Sequence, residues 1–193
     1  MQMTEQQVGG AALLLMDYQV GVLTQYAAGA PDAVPAAQGA VEAARKAGVP
    51  VIHVVVGFRP GAPEVAADHA AFGPLKTAGR LEPGPMLEIH PALRPLDGEV
   101  VVTKHRVGAF LGTDLDMILR AQQVRTLVLA GVATSGVVLS TVRYAADADY
   151  RLVVLSDACA DGDPQVHACL VERVFPRQAT VMTAAEYARS LSG

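Results

Sequence analysis

The chain has 193 residues, 51% of them apolar and 18% charged, with a formal net charge of -4. That composition supplies the core of one domain over residues 1–193 and excludes a disordered chain. The weak acidic balance without a basic cluster argues against nucleic acid as a partner. The stretch Met1 to Gly10 has no Lys or Arg and the apolar run after it stops at Asp17, so neither a signal peptide nor a membrane span is expected and a cytoplasmic location follows.

In chain order, apolar runs bounded by turn residues predict strands at Ala11 to Met16, Val51 to Val56, Val100 to Thr103, Thr126 to Ala130, Leu152 to Leu155 and Ala179 to Met182. Helical periodicity predicts helices at Pro35 to Ala47, Thr113 to Gln122, Ser135 to Asp147, Pro164 to Val174 and Thr183 to Leu191. The last opens with Thr183 and Glu186 at capping-box spacing. Strands alternating with helices indicate right-handed βαβ units, hence an α/β fold with a parallel sheet between two helical layers, a three-layer αβα sandwich. One stretch breaks the rhythm: Gly57 to Gly98 holds seven of the twelve prolines and no sustained period. An irregular excursion of that length serves as a lid or binding loop.

Open parallel sheets bind ligands beyond the carboxyl ends of their strands. The residues there are Asp17 and Gln19 after the first strand, Phe58 and Arg59 after the second, and Lys104, His105 and Arg106 after the third. Gly131 to Val137 follows the fourth, and Ser156, Asp157 and Cys159 the fifth. Asp17 ends an apolar run, and partial burial raises a carboxyl pKa and suits it to proton transfer. The alternative is a turn cap. Lys104 ends Val100-Val101-Val102-Thr103 and could orient Asp17 or hold a developing anion, or else snorkel at the surface. The small residues of Gly131 to Val137 permit close backbone approach, and free N–H groups there could bind an anion. Ser135 does not complete a nucleophile elbow, because Ala133 and Val137 stand where it needs glycine.

None of the five histidines, His53, His69, His90, His105 and His167, has zinc-ligand spacing, and no metal or cofactor is expected. His53 belongs to a strand core and His105 is the pocket candidate. Cys159 and Cys169 are expected as buried thiols. Arg59, Arg80 and Arg106 are all able to bind a carboxylate, or to face solvent.

The segments Leu15-Met16-Asp17-Tyr18-Gln19, Val102-Thr103-Lys104 with Gly108-Ala109-Phe110, Gly131-Val132-Ala133-Thr134 with Thr141, and Ser156-Asp157-Ala158 together resemble the isochorismatase-like hydrolases, also called the cysteine hydrolase superfamily. The resemblance spans residues 11 to 160. It implies a Rossmann-like sheet of six parallel strands in the order 3-2-1-4-5-6, a homodimer or higher homo-oligomer, and a cis peptide before Ala133 that turns N–H groups into the pocket. It also implies a small-molecule substrate acted on by Asp17 and Lys104 and contacted by Gln19, His105, Arg106, Phe110, Ala133, Thr134, Ser135, Gly136 and Val137. Amide-hydrolysing members use an Asp, Lys and Cys triad. Counting along the turn puts Val137 at the cysteine position. The nicotinamidase-like branch holds a metal with Asp-x-His after the second strand, where this chain has Val56-Gly57-Phe58-Arg59-Pro60.

Three functions fit these residues. The first is a hydrolase using Asp17 and Lys104 without a thiol, as in the vinyl-ether-cleaving branch, whose members carry glycine where Val137 stands. The second is an amide or imide hydrolase in which Asp17 activates water or Ser135. The third is a non-catalytic small-molecule-binding protein.

Overall fold

The computed structural model describes residues 10–192. The expectation that residues 1–9 hold no targeting signal lies outside them. Six strands, β1 (Ala11–Met16), β2 (Val51–Val56), β3 (Val100–Lys104), β4 (Thr126–Val132), β5 (Arg151–Ala160) and β6 (Thr180–Met182), form a parallel sheet in the order β3-β2-β1-β4-β5-β6. The helices are α1 (Val20–Tyr26), α2 (Ala33–Lys46), α3 (Gly73–Thr77), α4 (Leu115–Ala121), α5 (Leu139–Asp147), α6 (Pro164–Cys169) and α7 (Ala184–Ser190). Among the described residues no helix is long and apolar enough to cross a membrane.

The unbroken apolar run of β1 has a direct cause. Alternate side chains leave a strand on opposite faces. Leu13 and Leu15 therefore pack with Ala37, Val41 and Tyr187 of α2 and α7, while Leu14 and Met16 pack with Leu115 and Val142 of α4 and α5. A strand covered on both faces has no polar side to show. Between β1 and β4 the backbones are close enough that a Cβ on Gly131 would stand 3.0 Å from Met16 Cβ.

Four features differ from the sequence expectations. α1 was not expected, because it is seven residues long and Gly21 lowers its helical propensity. π-helical turns at Thr134–Val138 and Leu170–Val174 interrupt the helices expected at Ser135 to Asp147 and Pro164 to Val174. β5 continues to Ala160 through an irregularity in its pairing with β4, so Ser156 and Asp157 lie within the strand rather than beyond it. There Asp157 Oδ1 accepts the Ala184 N–H at 2.7 Å and Ser156 Oγ donates to Met182 O at 3.3 Å. Cys169, expected to be buried, is exposed at the end of α6, while Cys159 is buried.

The Pro-rich excursion lacks periodicity but has its own packing. Phe58, Ala62, Val65 and Leu81 form a small separate core, and the Phe58 and Phe72 rings meet edge to face at 5.4 Å. It carries α3 and the single turns Pro85–Leu87 and Pro91–Leu93.

At the entry to β3, Glu99 takes a bidentate pair from Arg45, with Nε and Nη2 both at 2.8 Å, and its Oε2 also meets Leu96 N–H at 2.8 Å and His53 Nε2 at 3.2 Å. Burial alone would raise this carboxyl, but Arg45, the Leu96 N–H and His53 outweigh it and hold the pKa at about 2. A depressed folded-state pKa contributes stability above the ordinary value near 4.5 that is lost as pH falls toward 2. Glu99→Gln is therefore expected to cost about 1–2 kcal/mol at pH 7, after allowance for solvent screening. In urea titrations the gap to wild type should close between pH 4.5 and 2; a gap independent of pH would contradict this account.

Candidate active site

The strand order reverses at β1 and β4, and a cavity of about 520 Å³ lies beyond their carboxyl ends. Asp17 leaves β1 with φ of +60°, a left-handed conformation that aspartate tolerates better than most residues. Its N–H still donates to Val54 O at 2.8 Å. Lys104, at the tip of β3, is in register with Val56 of β2. Its side chain crosses the end of β2 and brings Nζ to 2.8 Å from Asp17 Oδ2, and the two side chains are only 2% and 8% exposed. Nζ also donates to Arg106 O at 3.1 Å.

Asp17 Oδ1 is buried and has no hydrogen-bond partner. Burial therefore pushes the Asp17 carboxyl above its ordinary value, with Lys104 and, after it, the nearby Val56 N–H opposing the shift. A carboxyl group held in this way can deliver or accept a proton nearer neutrality than a solvated one.

Of the other expected site residues, Ala133, Ser135, Gly136 and Val137 line the cavity with Asp17 and Lys104. The peptide bond between Val132 and Ala133 is cis. The Ala133 carbonyl accepts from Gly136 and Val138 N–H at 3.1 and 3.3 Å, and Ser135 N–H donates to Asp161 Oδ2 at 2.7 Å. The Ser135 N–H, expected to be free for an anion, is thus occupied. No thiol lines the cavity: Cys159 lies in the core with burial pushing it up to about 12, and Cys169 is on the surface.

Gln19, His105, Arg106, Phe110 and Thr134 are not in the cavity wall, and each has a structural role nearby. Gln19 is fully buried; its Oε1 accepts Val56 N–H and its Nε2 donates to Val56 O and Leu87 O, tying β1 to β2 and to the excursion. His105 Nδ1 is 2.6 Å from Gly57 O. Arg106 donates to His105 O and Glu64 O. Phe110 stacks on Tyr144 with centroids 4.5 Å apart. Thr134 is buried and shares a hydrogen bond with His167 Nδ1 at 2.8 Å.

Sequence reasoning missed the α1 side of the cavity, formed by Gly21, Val22, Gln25 and Tyr26, because no helix was expected there. It also missed Phe72, Leu75, Glu82 and Met86 from the excursion, where no periodicity indicates which side chains turn inward. His167 and Asp161 behind the turn left no sequence signal either. Among the described residues no cluster of His, Cys, Asp or Glu is disposed to hold a metal.

The chain is similar to known proteins over nearly its whole length. The isochorismatase domain matches residues 11–186. An uncharacterized isochorismatase family protein of Bacillus subtilis is 33% identical over 178 residues, covering 91% of each chain. Maleamate amidohydrolase of Pseudomonas putida is 30% identical over 195 residues, covering 94% of this chain and 88% of its own. The structure of an isochorismatase family protein from Burkholderia thailandensis superposes with a TM-score of 0.82 at 30% identity, covering 96% of this chain and 97% of its own.

The buried ion pair makes a testable demand. Removing one partner leaves the other in a low-dielectric site, so Lys104→Met or Asp17→Asn should each cost roughly 3 kcal/mol in urea unfolding. The double variant should recover much of that loss. Additive losses would mean that the two groups do not depend on each other.

Proposed function

Because the chain belongs to the isochorismatase family, whose members are hydrolases, we propose that it hydrolyses a small molecule with Asp17 as the proton-transfer group, Lys104 as its electrostatic partner and no thiol nucleophile. The supporting observation is the buried Asp17 carboxyl in the cavity, one oxygen on Lys104 and the other without a partner. Val137, in the cavity wall, stands where the sequence count puts the cysteine of the amide-hydrolysing members. In this scheme Ser135 and Gly136 contact the substrate.

The chemistry that fits a carboxyl of raised pKa is hydrolysis of a vinyl ether. Protonated Asp17 gives its proton to the terminal carbon of the enol ether, producing an oxocarbenium ion. Water adds to that cation, the carboxylate takes back a proton, and the hemiketal collapses to a ketone and an alcohol. Lys104 limits how far the pKa rises and steadies the carboxylate formed in the first step.

A second reading is favoured by the likeness to maleamate amidohydrolase. Here the Asp17 carboxylate removes a proton from water, which attacks the amide carbonyl, and the proton passes to the departing amine.

The two schemes need opposite protonation states. As general acid Asp17 sustains turnover at low pH and loses it as pH rises through its raised pKa; as general base it gains activity across the same interval. Rate profiles with isochorismate-type enol ethers and with simple amides should show one of these limbs, and Asp17→Asn should abolish it with a loss of about 10²- to 10⁴-fold. Unchanged turnover in Asp17→Asn would remove Asp17 from the mechanism. Val137→Cys provides an independent check: if the remaining amide machinery is intact, the new thiol should confer amide hydrolysis that is lost again when Asp17→Asn is added.

A further inference from the structure

We propose, resting on the hydrolase reading of the Asp17 cavity, that His167 is a positioning residue: its ring, bonded to the buried hydroxyl of Thr134, fixes the turn that contacts the substrate and so governs substrate binding, while proton transfer stays with Asp17.

The turn needs outside support. Thr134–Val138 is π-helical, a wide form that is rare and is found mostly at functional sites. Its start hangs on a shared acceptor, Ala133 O, which takes both Gly136 and Val138 N–H. Ser135, Gly136 and Val137 face the cavity, whereas Thr134 is fully buried and cannot reach a ligand. Its hydroxyl instead meets His167 Nδ1 at 2.8 Å, from a residue outside the cavity wall. Without that ring a buried hydroxyl would lose its partner at the first residue of the turn.

β5 delivers the ring to this place. One residue separates Leu129 from Gly131 in β4, while four separate Val154 from Cys159, their partners in β5. The additional residues are taken up in the irregular pairing, so Ala160 lies opposite Val132 and Asp161 leaves the sheet beside Ala133. Asp161 then places one carboxylate oxygen on Ser135 N–H at 2.7 Å and the other on Asp163 N–H at 3.3 Å. Asp163 caps α6 by accepting Gln165 and Val166 N–H, and its carbonyl takes His167 N–H at 3.0 Å. The imidazole is thus carried on a capped helix that is tied to the turn it braces.

Binding and chemistry are wired separately. Asp17 N–H donates to Val54 O, and Lys104 Nζ is shared between Asp17 and Arg106 O, none of them part of the turn or of α6. Loss of the His167 bond therefore loosens the surface that meets the substrate and leaves the proton-transfer pair in place. The effect is bounded, because Asp161 still holds Ser135 N–H; one such hydrogen bond corresponds to roughly five- to tenfold in an equilibrium.

Four variants distinguish this role from the filling of space. Thr134→Val and His167→Leu delete the bond at nearly constant volume, His167→Asn keeps a polar amide atom where Nδ1 stands, and His167→Gln moves it toward the Nε2 position. Amide hydrogen exchange by NMR reads the turn without a ligand. Gly136 and Val138 should exchange about five- to tenfold faster in Thr134→Val and in His167→Leu, no faster when the two are combined, and near the wild-type rate in His167→Asn. With the isochorismate-type enol ether hydrolysed by wild type, KM should rise in the same order while kcat stays, the signature of binding lost equally in ground and transition states. Unaltered exchange, identical behaviour of the Asn, Gln and Leu variants, or a fall in kcat in place of the rise in KM overturns the proposal. Wild-type turnover in Asp17→Asn sinks the hydrolase reading alone, since the exchange rates and the order of KM values do not depend on which group moves the proton.

Discussion

The cavity depends on one contact, the ammonium of Lys104 against the carboxylate of Asp17. The two residues belong to strands that are not neighbours, since β2 lies between β1 and β3. Two strand spacings amount to about 10 Å, a span only a long, extended side chain can cross. The parallel registers put the two residues within one step of each other, with Met16 opposite Val54 and Lys104 opposite Val56. A shift of one residue in either strand would turn one group away from the other. The hydrophobic run that builds the sheet therefore also sets the geometry of its most polar feature.

The same contact accounts for the surrounding structure. A buried charge pair is tolerated only where further hydrogen bonds support it, and here support comes from residues that do not touch the cavity. Arg106 gives its carbonyl to Lys104 and its guanidinium to the carbonyls of His105 and Glu64, joining the tip of β3 to the excursion. Gln19 makes the matching connection from β1 to Val56 and Leu87. Motif residues that look like ligand contacts in a linear sequence are thus the braces of the cavity. One acceptor stays unsatisfied, Asp17 Oδ1, on a residue that lines the cavity.

The turn after β4 shows the same division of labour. Asp161 and His167 hold Ser135 and Thr134 from behind, while Ala133, Gly136 and Val137 face the ligand space. Burial lowers the His167 pKa, with Asp161 opposing, so the ring meets Thr134 in its neutral form at ordinary pH. Local backbone order around the cavity is supplied by groups outside its wall.

The architecture was legible because apolar period and strand-helix alternation are local properties. β1 and β2 appear with the expected ends, the Thr183 and Glu186 capping box is present, and Asp17 and Lys104 were identifiable as charges ending buried runs. Their pairing and the inward face of the excursion were settled only by tertiary structure. Each depends on which side chains from distant segments meet, and in a Pro-rich stretch no repeating period relates residue number to direction. The sequence by itself determined the sheet and which charges sit at its rim; folding decided which of them are buried together, because burial and partnership arise from contacts across the chain.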